Sequence, residues 1–117
     1  MLFKVLDYSK TQVILTKTTW KDKLLDPIIG HPEVKRFLPK IQSAIKSPDY
    51  VYMSKRDPRS KLFFAKIKKG EFKDHYLNIV IKYIREDNKK VGYILTVMIN
   101  RELPKKSKPI WQKNNLS

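Results

Sequence analysis

An α+β fold is predicted for this chain, with N-terminal helices packed on a four-stranded antiparallel β-sheet. Two observations carry that expectation. Val34, Leu38, Ile41 and Ile45 recur at helical spacing, with Lys35, Arg36, Lys40, Gln42 and Lys46 mostly on the opposite side. Four later segments alternate or run apolar at strand length, with hairpin-length breaks between them. A helix with that apolar face needs a sheet to cover, which ranks an all-β barrel second.

Leu2 to Tyr8 and Gln12 to Lys17 read as two short strands, rich in Val, Ile, Leu and Thr, around Ser9-Lys10-Thr11. Thr18 or Thr19 is expected to cap a short helix containing Leu24 and Leu25. Asp26-Pro27 interrupts it and Gly30 marks a second break. Pro32 suits the first turn of the main helix, where its missing N–H costs nothing. Pro39 predicts a kink or a split, and Ser47-Pro48-Asp49 a stop. A meander comes next: Tyr50 to Met53, Leu62 to Ile67, Tyr76 to Ile84 and Val91 to Ile99. Residues 1–102 are expected to form one domain. Residues 103–117 are expected to form a basic C-terminal tail, with Ile110-Trp111 as its one buriable anchor.

Composition narrows the chemistry. The 117 residues carry 26 Lys and Arg against 11 Asp and Glu, a formal net charge of +15. A folded domain with that much like charge repels itself, and a polyanionic partner relieves the strain. Nucleic acid is therefore the first partner to consider. Cysteine is absent and there are two histidines, His31 and His75, so thiolate and histidine-rich metal sites are not expected. Scattered carboxylates argue against a two-metal nuclease. No cofactor is expected. No apolar run reaches the roughly 18 residues of a membrane span. A cytoplasmic protein with no membrane partner is the default expectation.

Strand phase then gathers polar residues on one face. Leu77, Ile79, Ile81 and Tyr83 face one way; Asn78, Val80, Lys82 and Ile84 face the other. In the last strand, Gly92, Ile94, Thr96, Met98 and Asn100 form one set and Val91, Tyr93, Leu95, Val97 and Ile99 the opposite. Pairing the polar sets predicts an open surface bearing Lys66, Asn78, Lys82, Thr96 and Asn100.

Trp20, His31-Pro32-Glu33, Ile41, Ala44, Ile45, Pro48, Asp49 and the late Gly92-Tyr93-Ile94-Leu95-Thr96 form a series along the chain. That series resembles the phage and mobile-element branch of the barnase, EndoU, colicin and RelE-like (BECR) superfamily of metal-independent ribonucleases. The resemblance implies a RelE/barnase-like fold. It also implies an endoribonuclease, used as a toxin, that cleaves RNA by 2′-hydroxyl attack on the scissile phosphate. His31 matches the motif histidine and Thr96 the final-strand hydroxyl position. Metal-free cleavage needs an acid and base, and histidine titrates nearest neutrality. Charge on the phosphorane falls to Arg59, favoured for its bidentate fork. The expected catalytic set is thus His31, Arg59 and Thr96, with Arg56, Lys61, Lys66, Asn78 and Lys82 binding substrate and no metal. Tyr50, Tyr52 and Phe64 are candidates to stack on bases. Expected partners are RNA (tRNA, mRNA or rRNA) and an acidic antitoxin or immunity protein covering the basic face. The alternative is a non-catalytic nucleic-acid-binding module. It is favoured by Lys23, which stands where members of that branch commonly carry a second histidine.

Overall fold

Seven strands in one mixed sheet, with a single α-helix, make up a computed structural model that describes residues 1–113. The strands are β1 Phe3–Leu6, β2 Gln12–Leu15, β3 Tyr50–Met53, β4 Ser60–Lys66, β5 Tyr76–Glu86, β6 Lys89–Asn100 and β7 Trp111–Gln112. Their order is β1-β2-β6-β5-β4-β3-β7. Every neighbouring pair is antiparallel except β2 with β6. This corrects the expected four-stranded antiparallel sheet under N-terminal helices: the chain is mostly sheet. The four meander strands are present. Both N-terminal strands join them through the parallel β2–β6 seam, which pairs Gln12 with Val91. The expected RelE/barnase-like arrangement is overturned with it.

Local chemistry explains each element. Asp7 turns β1 into β2: its Oδ1 accepts from the Ser9 and Thr11 backbone N–H groups at 2.8 and 2.9 Å. Lys10 closes that turn in the left-handed region, at φ 70°. After β2, the Thr16 hydroxyl accepts the Thr19 N–H at 3.1 Å, so Thr16 rather than Thr18 or Thr19 caps the next segment. That segment, Thr19–Leu24, is a wide π-helical turn which buries Trp20 and Leu24. Asp26 then accepts from the N–H groups of Ile28 and Ile29. The chain folds so tightly there that a Cβ on Gly30 would lie 2.0 Å from the Lys23 carbonyl oxygen. Only glycine fits.

The predicted helix is split. Pro32–Phe37 forms a 3₁₀ helix, and α1 runs from Leu38 to Lys46. Pro39 lies in the first turn of α1, where no backbone donor is lost. Val34, Ile41, Ala44 and Ile45 are buried, as the apolar stripe requires.

One sheet face packs on these helices. Val13, Leu15, Val51, Phe63, Leu77, Ile79, Ile81, Ile94 and Val97 join the helical residues in a single apolar cluster. The sheet curls around this cluster until its edges meet. Tyr8, in the β1–β2 turn, places its ring 5.7 Å from Phe63 of β4 and 5.0 Å from Trp111 of β7, the far edge strand. The Tyr83 hydroxyl of β5 donates to Asp7 Oδ2 at 2.7 Å, a second strut from the hairpin turn across the core. Burial and the facing Asp7 carboxylate raise the Tyr83 pKa, so the phenol keeps its proton.

A β-bulge resets the phase of β6. Val80 faces Thr96 but Ile81 faces Ile94, leaving Leu95 as the extra residue. Ile94 therefore turns inward with Val97 and Ile99, whereas strict alternation groups it with Thr96. Thr96, Met98 and Asn100 remain on the outer face.

Within the segment expected as a basic tail, Trp111–Gln112 joins the sheet as β7. After β6, residues 101–110 run across the outer face, and β7 pairs with β3. The Ile110 N–H donates to Val51 O at 2.7 Å and the Lys113 N–H to Asp49 O at 3.0 Å. Residues 114–117 of the expected tail lie outside the described residues.

Candidate functional site

The arm formed by residues 101–110 turns the outer face into two connected clefts instead of the open surface expected from the strand phases. The larger, of about 860 Å³, lies between the sheet and residues 104–107. Sheet residues Tyr52, Leu62, Asn78, Val80, Thr96 and Met98 form its floor. The smaller, of about 650 Å³, continues beneath residues 101–105 against Leu62, Phe64, Asn78 and Asn100. The β4–β5 and β5–β6 registers set these residues side by side: Asn78 lies between Phe64 and Met98, and Val80 between Leu62 and Thr96.

Charge is concentrated at the larger cleft. Lys23 from the π-helical turn, Lys55 and Arg56 from the β3–β4 loop, and Lys105 and Lys106 from the arm all line it. Asp57 is the one carboxylate among its lining residues. Lys105 is paired with Glu102 at 3.1 Å. Lys23, Lys55, Arg56 and Lys106 have no acidic partner within 4 Å among the described residues.

Asp57 is committed to structure. It accepts from the Arg59 backbone N–H at 2.9 Å and pairs with Lys82 at 3.2 Å. The Arg59 N–H first, and Lys82 after it, hold its carboxyl below the usual range. A lowered folded pKa supplies stability that is complete above the unfolded carboxylate pKa and lost as pH falls through the folded one. Acidification below the ordinary carboxylate range is therefore expected to loosen residues 54–60 first. Amide exchange at Arg59 that accelerates in acid ahead of the β5 amides would show it.

The residues singled out from sequence separate into two groups. Arg56, Asn78 and Thr96 line the larger cleft, and Lys82 stands beside it through its pair with Asp57. The others lie elsewhere. Arg59 also reaches Asp57, its Nε 3.6 Å from Oδ1, but its exposed side chain lines a separate depression with Tyr83, Ile84, Arg85 and Lys90. Lys61 is on the helix-facing side of β4, opposite Ile81. Its ammonium sits 5.0 Å from the Tyr83 ring and 5.8 Å from the Tyr8 ring, and burial, then Lys90, lowers its pKa. Lys66 is exposed at the end of β4, 3.9 Å from Asp74. His31 precedes the 3₁₀ helix, half-exposed, with Nδ1 3.6 Å from Glu33 Oε2, and it is not among the residues lining either cleft. The nearest helical start is a six-residue 3₁₀ segment beginning with Pro32, whose second free donor, Val34 N–H, already bonds the His31 carbonyl.

The aromatic residues are also reassigned. Tyr52 and Phe64 are 4 % and 2 % exposed, and their rings meet edge to face at 5.5 Å. Phe64 in turn meets Tyr76 at 6.3 Å. These outer-face aromatics belong to a small second cluster, separate from the main core, that lies in the floor of the clefts.

Sequence reasoning missed Lys55, Lys105 and Lys106. Lys105-Lys106 is visible as a basic pair after Pro104, but nothing local says that the arm returns across the sheet. Among the described residues no three His, Asp or Glu side chains converge as metal ligands would. No helix there is long and apolar enough to cross a membrane.

One polar feature of the clefts stands out. The Oδ1 atoms of Asn78 and Asn100 are buried and have no hydrogen-bond partner among the described residues. Leaving a buried carbonyl oxygen unpaired costs about 1–3 kcal/mol. By contrast, buried Asp7 accepts from Ser9, Thr11 and Tyr83.

A scan against protein-family models, a search of curated proteins and a search of solved structures each returned no significant match.

Proposed function

We propose that this protein binds single-stranded nucleic acid, with RNA the first candidate, in the cleft between the outer sheet face and the 101–110 arm. One observation carries the reading: five cationic side chains from three separate chain segments line a cleft that has a single, already paired carboxylate. Phosphates spaced along a strand are the ligand that such a cluster attracts. The +15 charge of the whole chain draws the same ligand from a distance. Because the arm roofs the cleft, a ligand must thread between arm and sheet, which favours a flexible single strand. The expected cytoplasmic setting belongs to this same reading.

The ribonuclease reading needs an acid or base at the phosphate. His31, the acid or base in that reading, and Arg59, which would stabilise the phosphorane charge, lie outside the lining of the cleft. Binding without cleavage is therefore the reading adopted. Incubation with RNA in EDTA separates the two: cleavage that disappears in His31→Ala would restore the enzyme.

Binding itself makes a numerical prediction. With about four phosphates engaged, log K against log salt for a single strand is expected to fall with a slope near −3. Replacing Lys55 and Lys106, which have no acidic partner among the described residues, together by glutamine is expected to halve that slope, each lysine accounting for about 0.7. Fluorescence anisotropy with a labelled 10-mer across a salt series measures it. A slope indifferent to both lysines would remove the cleft from the proposal.

A further inference from the structure

We infer that the cleft reads the bound strand at one position, accepting bases with an exocyclic amino group (adenine, cytosine and guanine) over uracil and thymine through the Asn78 and Asn100 side-chain oxygens. The inference rests on the nucleic-acid reading and adds a base preference to it. Asn78 is 7 % exposed, yet its Oδ1 meets no donor among the described residues, and the Oδ1 of Asn100 is in the same condition. Both side chains line the smaller cleft, and Asn78 also lines the larger, where the cations are. The site is thus polar in two distinct ways: unsatisfied acceptors at the inner end and phosphate-seeking cations at the outer end.

A nucleotide has the matching polarity. Its phosphate suits Arg56, Lys106 and Lys23. An amino group on its base brings two N–H donors, enough for both asparagine oxygens. Uracil and thymine fit badly, because their one ring N–H lies between two carbonyl oxygens, which would face the asparagine oxygens with like polarity. The cleft volumes, about 650 and 860 Å³, are within the range of small-ligand pockets.

The test compares labelled rA10, rC10 and rU10 by anisotropy at one salt concentration. The first two are expected to bind about 10-fold more tightly than the third. A 10-mer of N6,N6-dimethyladenosine, which keeps the ring and loses both amino hydrogens, is expected to bind as weakly as rU10. Asn78→Leu should erase the preference but keep the salt slope, because the cations are untouched. Asn78→Asp keeps an acceptor and should keep the order of preference. Equal affinity for all three homopolymers with a normal salt slope would overturn the inference and leave the binding function standing. So would tight binding of the dimethylated strand, or an Asn78→Leu protein that still prefers rA10. Failure to bind any strand would sink both readings together.

Discussion

Ending the chain after Arg101 is expected to destabilise the fold by about 3–5 kcal/mol and to abolish most of the salt-dependent affinity. Both effects come from the same strip of chain. The arm supplies Lys105 and Lys106 to the larger cleft and covers the outer aromatics, leaving Tyr52 and Phe64 at 4 % and 2 % exposure. Exposing a buried aromatic side chain costs about 1.5–3 kcal/mol, and two are uncovered. The truncation also removes the β7 pairing with β3 and the Trp111 ring from beside Tyr8. Urea unfolding of the truncated and full chains gives the first number, and anisotropy with rA10 gives the second. A truncated protein as stable as the full chain would mean that the arm is only a loosely attached cover.

Phe63→Ala is expected to cost a similar 3–5 kcal/mol by a different route. Phe63 is the largest of the fully buried side chains, at 0 % exposure on the inner face of β4. Its ring supports Tyr8 edge to face, and Tyr8 in turn meets Trp111. Removing it opens a cavity beneath the point where the two sheet edges close. The loss is comparable with the roughly 5–15 kcal/mol that holds a domain of this size together. The checkable outcome is a fall in the urea midpoint with an unchanged slope. Phe64→Ala, one residue along and on the other face, should disturb binding more than Phe63→Ala does at equal stability, because Phe64 lines the smaller cleft.

Much of the local structure is legible in the sequence because it depends on neighbouring residues. Tyr50–Met53 has the same bounds in both. The Asp87-Asn88 pair, both at positive φ, closes the β5–β6 hairpin as its turn chemistry predicts. The helical stripe of Val34, Ile41 and Ile45 is real, and of the kink or split expected at Pro39 the structure has the split, with Pro39 in the first turn of α1. The architecture is not legible, since it depends on pairings between distant segments. Nothing around Gln12 names Val91 as its parallel partner, and nothing around Trp111 names Val51. A count of four strands results from treating the N-terminal pair and the tail as outside the sheet.

The candidate site shows the same division. Strict alternation along β5 and on the far side of the β6 bulge is enough to place Asn78, Lys82 and Thr96 on one face. Lys61 departs from expectation because it points inward at the start of β4, where its ammonium lies over two tyrosine rings. Arg59 and Arg56 are close in sequence, yet the loop held by Asp57 sends the two arginines to different surfaces.

The β2–β6 seam has a consequence for how the molecule is made. During translation the N-terminal hairpin leaves the ribosome long before its partner strand has been synthesised. Val13 and Leu15, fully buried at the end, must stay in water or with a chaperone until Val91 and Gly92 arrive. Closure of that seam spans most of the polypeptide, so it belongs to the late and slow part of assembly, after the β4–β5–β6 meander has collapsed.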